Sequence, residues 1–192
     1  MVKRIPYNKG TDISPVAFLF ACPGQKEEKS GKVVTGNTGK NLDLLLSSLS
    51  QSSDPAIRSI FPSSNRYDYL ITNASDIVHY PALDGKSVPS REEMTEEINI
   101  NRLFYELENA QYVVTFGVQA REAARLVSYM FEMREIYPRP KFISSLPHLS
   151  FLSLNQITND VEGNEIPKGD KSATAKRIAV VKEMLEKEIL DV

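Results

Sequence analysis

A chain of 192 residues, 41% hydrophobic and 25% charged, with a formal net charge of −2 and a pI near 5.8, can build one substantial core and is short for two. That balance excludes a general basic coat for nucleic acid, and the lone Cys22 excludes an internal disulfide framework or a metal cluster held by several thiolates of this chain. The opening MVKRIPYNKGTDISP has no apolar run behind its basic residues, and nowhere do about 18 apolar residues follow one another. We therefore expect one domain over 1–192, no signal peptide, no membrane partner and a reducing, cytoplasmic setting.

In chain order, VAFLFAC (16–22) is a run of β-branched and aromatic residues stopped by Pro23-Gly24, which reads as a buried strand. The loop behind it carries Lys26, Lys29, Lys32 and Lys40, either as solvated lysines or as a local basic face. Thr38 is a plausible helix cap, followed by Leu42, Leu45, Leu46 and Leu49 at helical spacing. YDYLITN (67–73) is a second strand. Ser90 and Glu93 have capping-box spacing and open a helix to about Asn109, with Ile98, Leu103 and Leu107 as inward positions. QYVVTF (111–116) is a third strand, broken at Gly117 ahead of a helix over 118–133. KFISSL (141–146) is a fourth strand, 156–171 is an aperiodic polar loop, and an amphipathic helix over 175–190 closes the chain.

Strands alternating with helices predict an α/β fold, a three-layer α/β/α arrangement around a central four-stranded parallel sheet. Ligands of such folds gather beyond the carboxyl ends of the strands, where CPGQKEE, TNASD, FGVQA and PHLSF fall. Neither a P-loop nor a dinucleotide-binding glycine fingerprint follows the first strand, which counts against an unrelated α/β nucleotide-binding enzyme.

Pro23-Gly24, Glu27-Glu28, Gly31, Gly36, Gly39 and Leu42 keep, without a gap, the spacing of the first motif of the uracil-DNA glycosylase superfamily. Ile71-Thr72-Asn73 resembles its strand ending in a base-reading Asn, FGVQA (116–120) its strand-to-helix turn, and PHLSFLSLN (147–155) its H-P-S-P-L segment. The chain from Val16 to Asn155 thus resembles that superfamily, with the four segments in the family's order. The resemblance implies a monomeric enzyme that swings a base out of DNA and hydrolyses its N-glycosidic bond, a chemistry that needs backbone clamps, a wedge, a donor for the departing base and a polar group near the sugar.

Carried over by position, His148 is the donor to the base, as a neutral imidazole, and Glu27 a carboxylate able to orient water. Asn73 reads the pyrimidine edge, and Ala21, Cys22 and Val34 line the base pocket. Ser150, Lys32, Gly36 and Asn37 are candidates for the DNA backbone, and Phe151 and Leu152 for a minor-groove wedge. Each residue also has an ordinary reading: a turn His, an Asx turn at Asn73, Glu27 or Glu28 paired with Lys26 or Lys29, and Phe151 and Leu152 in the core. Cys22 reads better as a packing residue than as a nucleophile.

The match also departs from the family. Ala21 stands where the family has an acid, Cys22 where other branches have Asp or Asn, Val34 where a Phe stacks on the base, and Leu149 where Pro follows the His. The four cysteines of the iron–sulfur members are missing, so no cluster and no other cofactor or metal is expected. The resemblance implies excision of uracil or, given the reshaped pocket, rather of a modified pyrimidine, in repair or in defence against modified phage DNA. The alternative is a catalytically silent module of the same fold that binds DNA or a base. His79, beyond the second strand, is too isolated in sequence to assign a role.

Overall fold

The computed structural model describes residues 3–191. The run Val16–Phe20 is buried along its whole length and forms β1, a central strand covered on both faces. It pairs in parallel with β2 (Leu70–Asn73) on one side and β3 (Tyr112–Thr115) on the other, and β3 pairs with β4 (Lys141–Ile143). The resulting order β2-β1-β3-β4 makes β2 and β4 the edges of one all-parallel sheet.

Because successive strand residues face opposite sides, β1 feeds two cores. Val16, Phe18 and Phe20 pack with Leu42, Leu45, Leu46 and Leu49 of α2 (Gly36–Ser50) and with Ile178, Val181, Leu185 and Ile189 of α9 (Ala173–Leu190). Ala17 and Leu19 pack with Leu103, Phe104 and Leu107 of α6 (Glu97–Leu107) and with Ala120, Ala123, Val127 and Phe131 of α7 (Val118–Met133). The fold is therefore the expected three-layer α/β/α arrangement. Among the described residues, no helix is long and apolar enough to cross a membrane.

Shorter elements complete the chain: α1 (Gln25–Ser30), α3 (Pro55–Ile60), α4 (Pro81–Asp84), α5 (Arg91–Thr95) and α8 (Phe151–Leu154). With four to six residues each, they are too short to leave a periodic apolar signal.

Several boundaries differ from the sequence expectation. Thr35, not Thr38, is the N-cap of α2, and Thr38 lies in its first turn. The second strand is shorter because residues 66–68 form a 3-10 turn, with the Asn65 side chain accepting the Tyr67 N–H at 3.2 Å. The fourth strand stops at Ile143.

The single helix expected over 90–109 breaks at Glu96, whose backbone is extended (φ −54°, ψ 135°). The buried Asn99 amide explains how the break is tolerated: its Nδ2 donates to the freed Met94 carbonyl at 2.9 Å and to the Ala74 carbonyl at 2.7 Å. Within α6, Ile98, expected inward, is 75% exposed, while Ile100 and Leu103 face the core, because five residues set Ile98 about 140° from Leu103 around the helix.

This register has a direct test. Leu103→Ala should cost about 2–5 kcal/mol by cavity formation, whereas Ile98→Ala should change stability by no more than about 0.5 kcal/mol, both read by chemical denaturation. Equal losses would contradict this facing of α6.

Candidate functional site

The chain leaves β1 for β2 on one side and takes up β3 on the other, so the switch point at which such folds place their ligand crevice lies beyond the carboxyl ends of β1 and β3. The exits of β1 and β2 remain zipped after the sheet ends: Ala74 N–H donates to Phe20 O at 2.7 Å, Ser75 N–H to Ala21 O at 3.0 Å, and His79 N–H to Pro23 O at 3.0 Å.

Phe20 sits at the centre of the candidate residues. Asn73 is its register partner on β2, and alternation puts both side chains on the α2 side of the sheet. The His148 ring meets the Phe20 ring edge-on, with centroids 6.0 Å apart and planes at 87°. Asn73 is only 3% exposed. Its carbonyl accepts from Arg102 Nη2 at 2.9 Å, yet its side-chain amide has no hydrogen-bond partner among the described residues. A buried primary amide left free can donate and accept toward a ligand. The Asx-turn reading is therefore not what the structure contains.

His148 is half-buried, and its Nδ1 accepts the Ser150 N–H at 3.0 Å. Burial pushes the imidazole pKa below its ordinary 6.5, so the ring is neutral at pH 7 and its proton resides on Nε2. The backbone around it is tightly fixed. Gly117 has φ +91°, and a Cβ there would lie 3.2 Å from His148 Cβ, so glycine is required at this strand-to-helix turn. Asn41 of α2 donates from Nδ2 to the Leu149 carbonyl at 2.8 Å, fastening the His148 segment to the helix.

Glu27 is engaged as a clamp. Its Oε2 accepts the Gly24 N–H at 3.0 Å, and its Oε1 accepts both the Thr35 N–H at 2.7 Å and the Thr35 hydroxyl at 2.9 Å. Glu28 accepts from the Tyr80 hydroxyl at 2.7 Å. Among the described residues neither carboxylate pairs with Lys26 or Lys29; Glu28 instead lies 3.9 Å from Lys3 Nζ.

The clamped loop carries Val34 with φ +47°, an uncommon conformation for a β-branched residue, and buries its side chain. A Cβ on Gly39 would meet the Val34 carbonyl at 2.2 Å, so that glycine lets the start of α2 seat against the loop. Gly36 opens α2, and Asn37 is exposed in its first turn. Lys32 is not brought to His148: its ammonium sits 5.7 Å from the Tyr67 ring centroid and lines a separate cavity with Pro6 and Asn8.

Ala21 and Cys22 are half-buried at the exit of β1. Burial first, and then the charges of Glu93, Asp84 and Glu27, push the Cys22 thiol up to about 12. It remains a thiol at neutral pH, as suits a packing residue and not a nucleophile. Ser150 caps α8 by accepting the Ser153 N–H at 3.4 Å. Behind it, Phe151 and Leu152 are 46% and 82% exposed, so neither is a core residue.

The sequence reading missed a polar network beside Cys22. The buried His79 ring lies between two carboxylates, Nδ1 2.5 Å from Asp84 Oδ2 and Nε2 2.9 Å from Glu93 Oε2, and the Ser75 hydroxyl donates to Glu93. Burial opposes charge on this ring, but its hydrogen bonds to the acceptor oxygens of Asp84 and Glu93 outweigh it and raise the pKa above 6.5. Asp84 and Glu93 lie 5 and 14 residues along the chain from His79, a spacing with no periodic meaning in the sequence. Among the described residues, no group of three or more His, Cys, Asp or Glu side chains is placed to hold a metal ion.

A scan of the chain against protein-family models finds no match, and neither does a search among curated proteins.

Two predictions follow from these contacts. Glu27→Ala should destabilise the protein by about 2 kcal/mol, since it strips a charged acceptor from three donors, and should speed hydrogen exchange at the Gly24 and Thr35 amides. The His79 network should act in a defined pH window. Its raised pKa contributes stability that is full below pH 6.5 and disappears as pH rises through the folded value, while the lowered pKa of Asp84 contributes stability that is lost as pH falls below 3.8. His79→Asn should therefore cost about 2 kcal/mol near pH 5.5 and less at pH 9, measured as urea midpoints across pH.

Proposed function

We propose that the protein is a monofunctional DNA glycosylase that hydrolyses the N-glycosidic bond of a flipped base, a modified pyrimidine in preference to uracil. The observation that carries this reading is the pairing, around Phe20, of a neutral His148 whose Nε2–H is the free donor with a buried Asn73 amide that has no protein partner. A pyrimidine edge presents both acceptors and donors, and a primary amide, with one acceptor oxygen and two donor hydrogens, can pair with both.

In the reaction, water adds to C1′ of the sugar, the C1′–N bond breaks with its electron pair going to the base, and a proton from the water ends on the departing base. The His148 Nε2–H would donate a hydrogen bond to the base oxygen as negative charge develops there. A neutral donor suits this step, because it stabilises the leaving anion without requiring a proton to be transferred from an imidazolium. Glu27 would act at one remove, by holding the Gly24–Thr35 loop against the bound nucleotide. Val34, smaller than an aromatic ring, leaves room for a substituent on the base.

The exposed pair Phe151 and Leu152, at the tip of the His148 segment, fits a wedge that fills the gap left by a flipped base. Such an enzyme would work in the cytoplasm, in repair or against modified phage DNA. A second reading, a silent module that binds DNA or a base, is favoured by two facts: the Cys22 thiol is protonated and Glu27 already accepts three hydrogen bonds. Neither is free to activate water.

An abasic-site assay separates the two. Oligonucleotides carrying uracil, hydroxymethylcytosine, its glucosylated form or hypoxanthine are incubated with the protein and then cleaved with alkali. We expect release from at least one modified pyrimidine, reduced about 100-fold or more in His148→Ala and strongly reduced in Asn73→Ala. Tight binding with no release from any substrate would establish the silent module instead.

A further inference from the structure

On the face of α7 away from α2, Arg121, Arg125 and Tyr129 recur every four residues and so form one stripe along the helix. The stripe faces the edge strand β4 and the start of α5. Together with Arg91, Phe142 and Ser144, these side chains line a groove of about 510 Å³.

The charges of the groove are only partly balanced. Arg91 Nε pairs with Glu122 at 2.9 Å, and Glu132 is taken by Arg139 at 3.6 Å. Among the described residues, the side chains of Arg121 and Arg125 have neither a carboxylate within salt-bridge distance nor a hydrogen-bond acceptor, and Arg121 Nε is fully buried without one. A buried guanidinium N–H without an acceptor is uncommon, and the Nη groups of Arg121, neither buried nor paired among the described residues, are the part of the fork an acceptor entering the groove would meet. In a chain of net charge −2, two unpaired arginines in one groove are a local feature and not the overspill of a basic protein.

Tyr129, 59% exposed, adds an aromatic face beside them. Guanidinium forks match phosphate oxygens, and an exposed aromatic ring can stack on any base. That combination asks for a ligand with alternating phosphates and flat rings. The groove also starts close to the crevice: Arg121 is four residues along α7 from Gly117, which packs against His148, a rise of about 6 Å.

We propose that this α7–β4 groove is a track for single-stranded nucleic acid, with Arg121 and Arg125 on successive phosphates and Tyr129 under a base. The proposal rests on the nucleic-acid reading of the crevice for its ligand class, and it adds the direction in which the strand leaves the flipped nucleotide.

The test uses the full chain and an unmodified single-stranded DNA of about twelve nucleotides, followed by fluorescence anisotropy at several salt concentrations. Arg121→Gln/Arg125→Gln should weaken binding about tenfold or more, and should lower the slope of log affinity against log salt by about 1.4, the expectation for two lost phosphate contacts on a single strand. Tyr129→Ala should weaken binding with an unchanged slope. Should Arg121→Gln fail to fold, the exposed Arg125→Glu carries the same test, since charge reversal at the surface should weaken binding further than neutralisation.

Unchanged affinity and slope in these variants would overturn the track. Loss of affinity only for duplex, with the single strand unaffected, would overturn it too. The two readings fail separately. Base release that persists alongside unchanged binding by the groove variants removes the track and keeps the glycosylase. No base release from any substrate, with single-strand affinity that depends on Arg121 and Arg125, keeps the track and removes the enzyme.

Discussion

The carboxylate of Glu27 is the interaction on which the crevice depends. Between Phe20 and Gly36 the backbone is zipped to the exit of β2 only as far as Pro23, and beyond it the chain makes no strand pairing. The Glu27 side chain constrains the rest of the loop by holding the Gly24 N–H at the start of α1 and the Thr35 N–H and hydroxyl at the start of α2. Both attachment points are helix starts, where unpaired N–H groups and the helix dipole favour a negative charge. With the ends of the loop pinned, Val34 can be held at positive φ and its carbonyl can lie where only a glycine at position 39 leaves room. The geometry that makes Glu27 a good clamp also fills its oxygens, which separates its role from that of a general base.

How much of this was legible in the sequence depended on the range of the interactions involved. Strand β1 was readable because a strand buried on both faces is a continuous apolar run. Helices α2, α7 and α9 were readable because each keeps one apolar stripe over 15 to 18 residues. The break between α5 and α6 was not, since the Asn99 amide that makes it tolerable also bonds Ala74, far along the chain beyond β2. Ile98 and Leu103 are both apolar, but five residues set them about 140° apart on α6, so only one of them can face the core.

The site divides along the same line. That the candidate residues should lie beyond the strand ends followed from topology alone, and Asn73, Gly117 and His148 are there. Which nitrogen of His148 carries the proton depends on a turn two residues long, from Nδ1 to the Ser150 amide, that the sequence did not announce. The partner of Glu27, eight residues away, and those of His79 needed the folded loop before they could be recognised. Polar networks closed through space leave no period in the chain, and so they are what a pattern reading misses.

The two flanks of the crevice differ in charge, and the difference bears on how a nucleic acid would lie. On the β2 flank, Glu27, Asp84 and Glu93 all bear on Cys22, and Asp84 and Glu93 also flank the His79 ring, whose pKa they raise. On the β4 flank, Arg121 and Arg125 have no partner among the described residues. A phosphodiester chain is repelled by the first flank and drawn to the second. A nucleotide seated at Phe20 would then have its phosphates toward α7 and its sugar nearer the acidic side. That orientation would suit a step in which positive charge grows on the sugar, because the carboxylates whose charges act on Cys22 would stabilise such a charge without touching it. The acid missing at position 21 would be replaced by a field and not by a side chain. Such a field can steady a cation, but it cannot take a proton from water, so it favours bases that leave readily over those that must be pushed out.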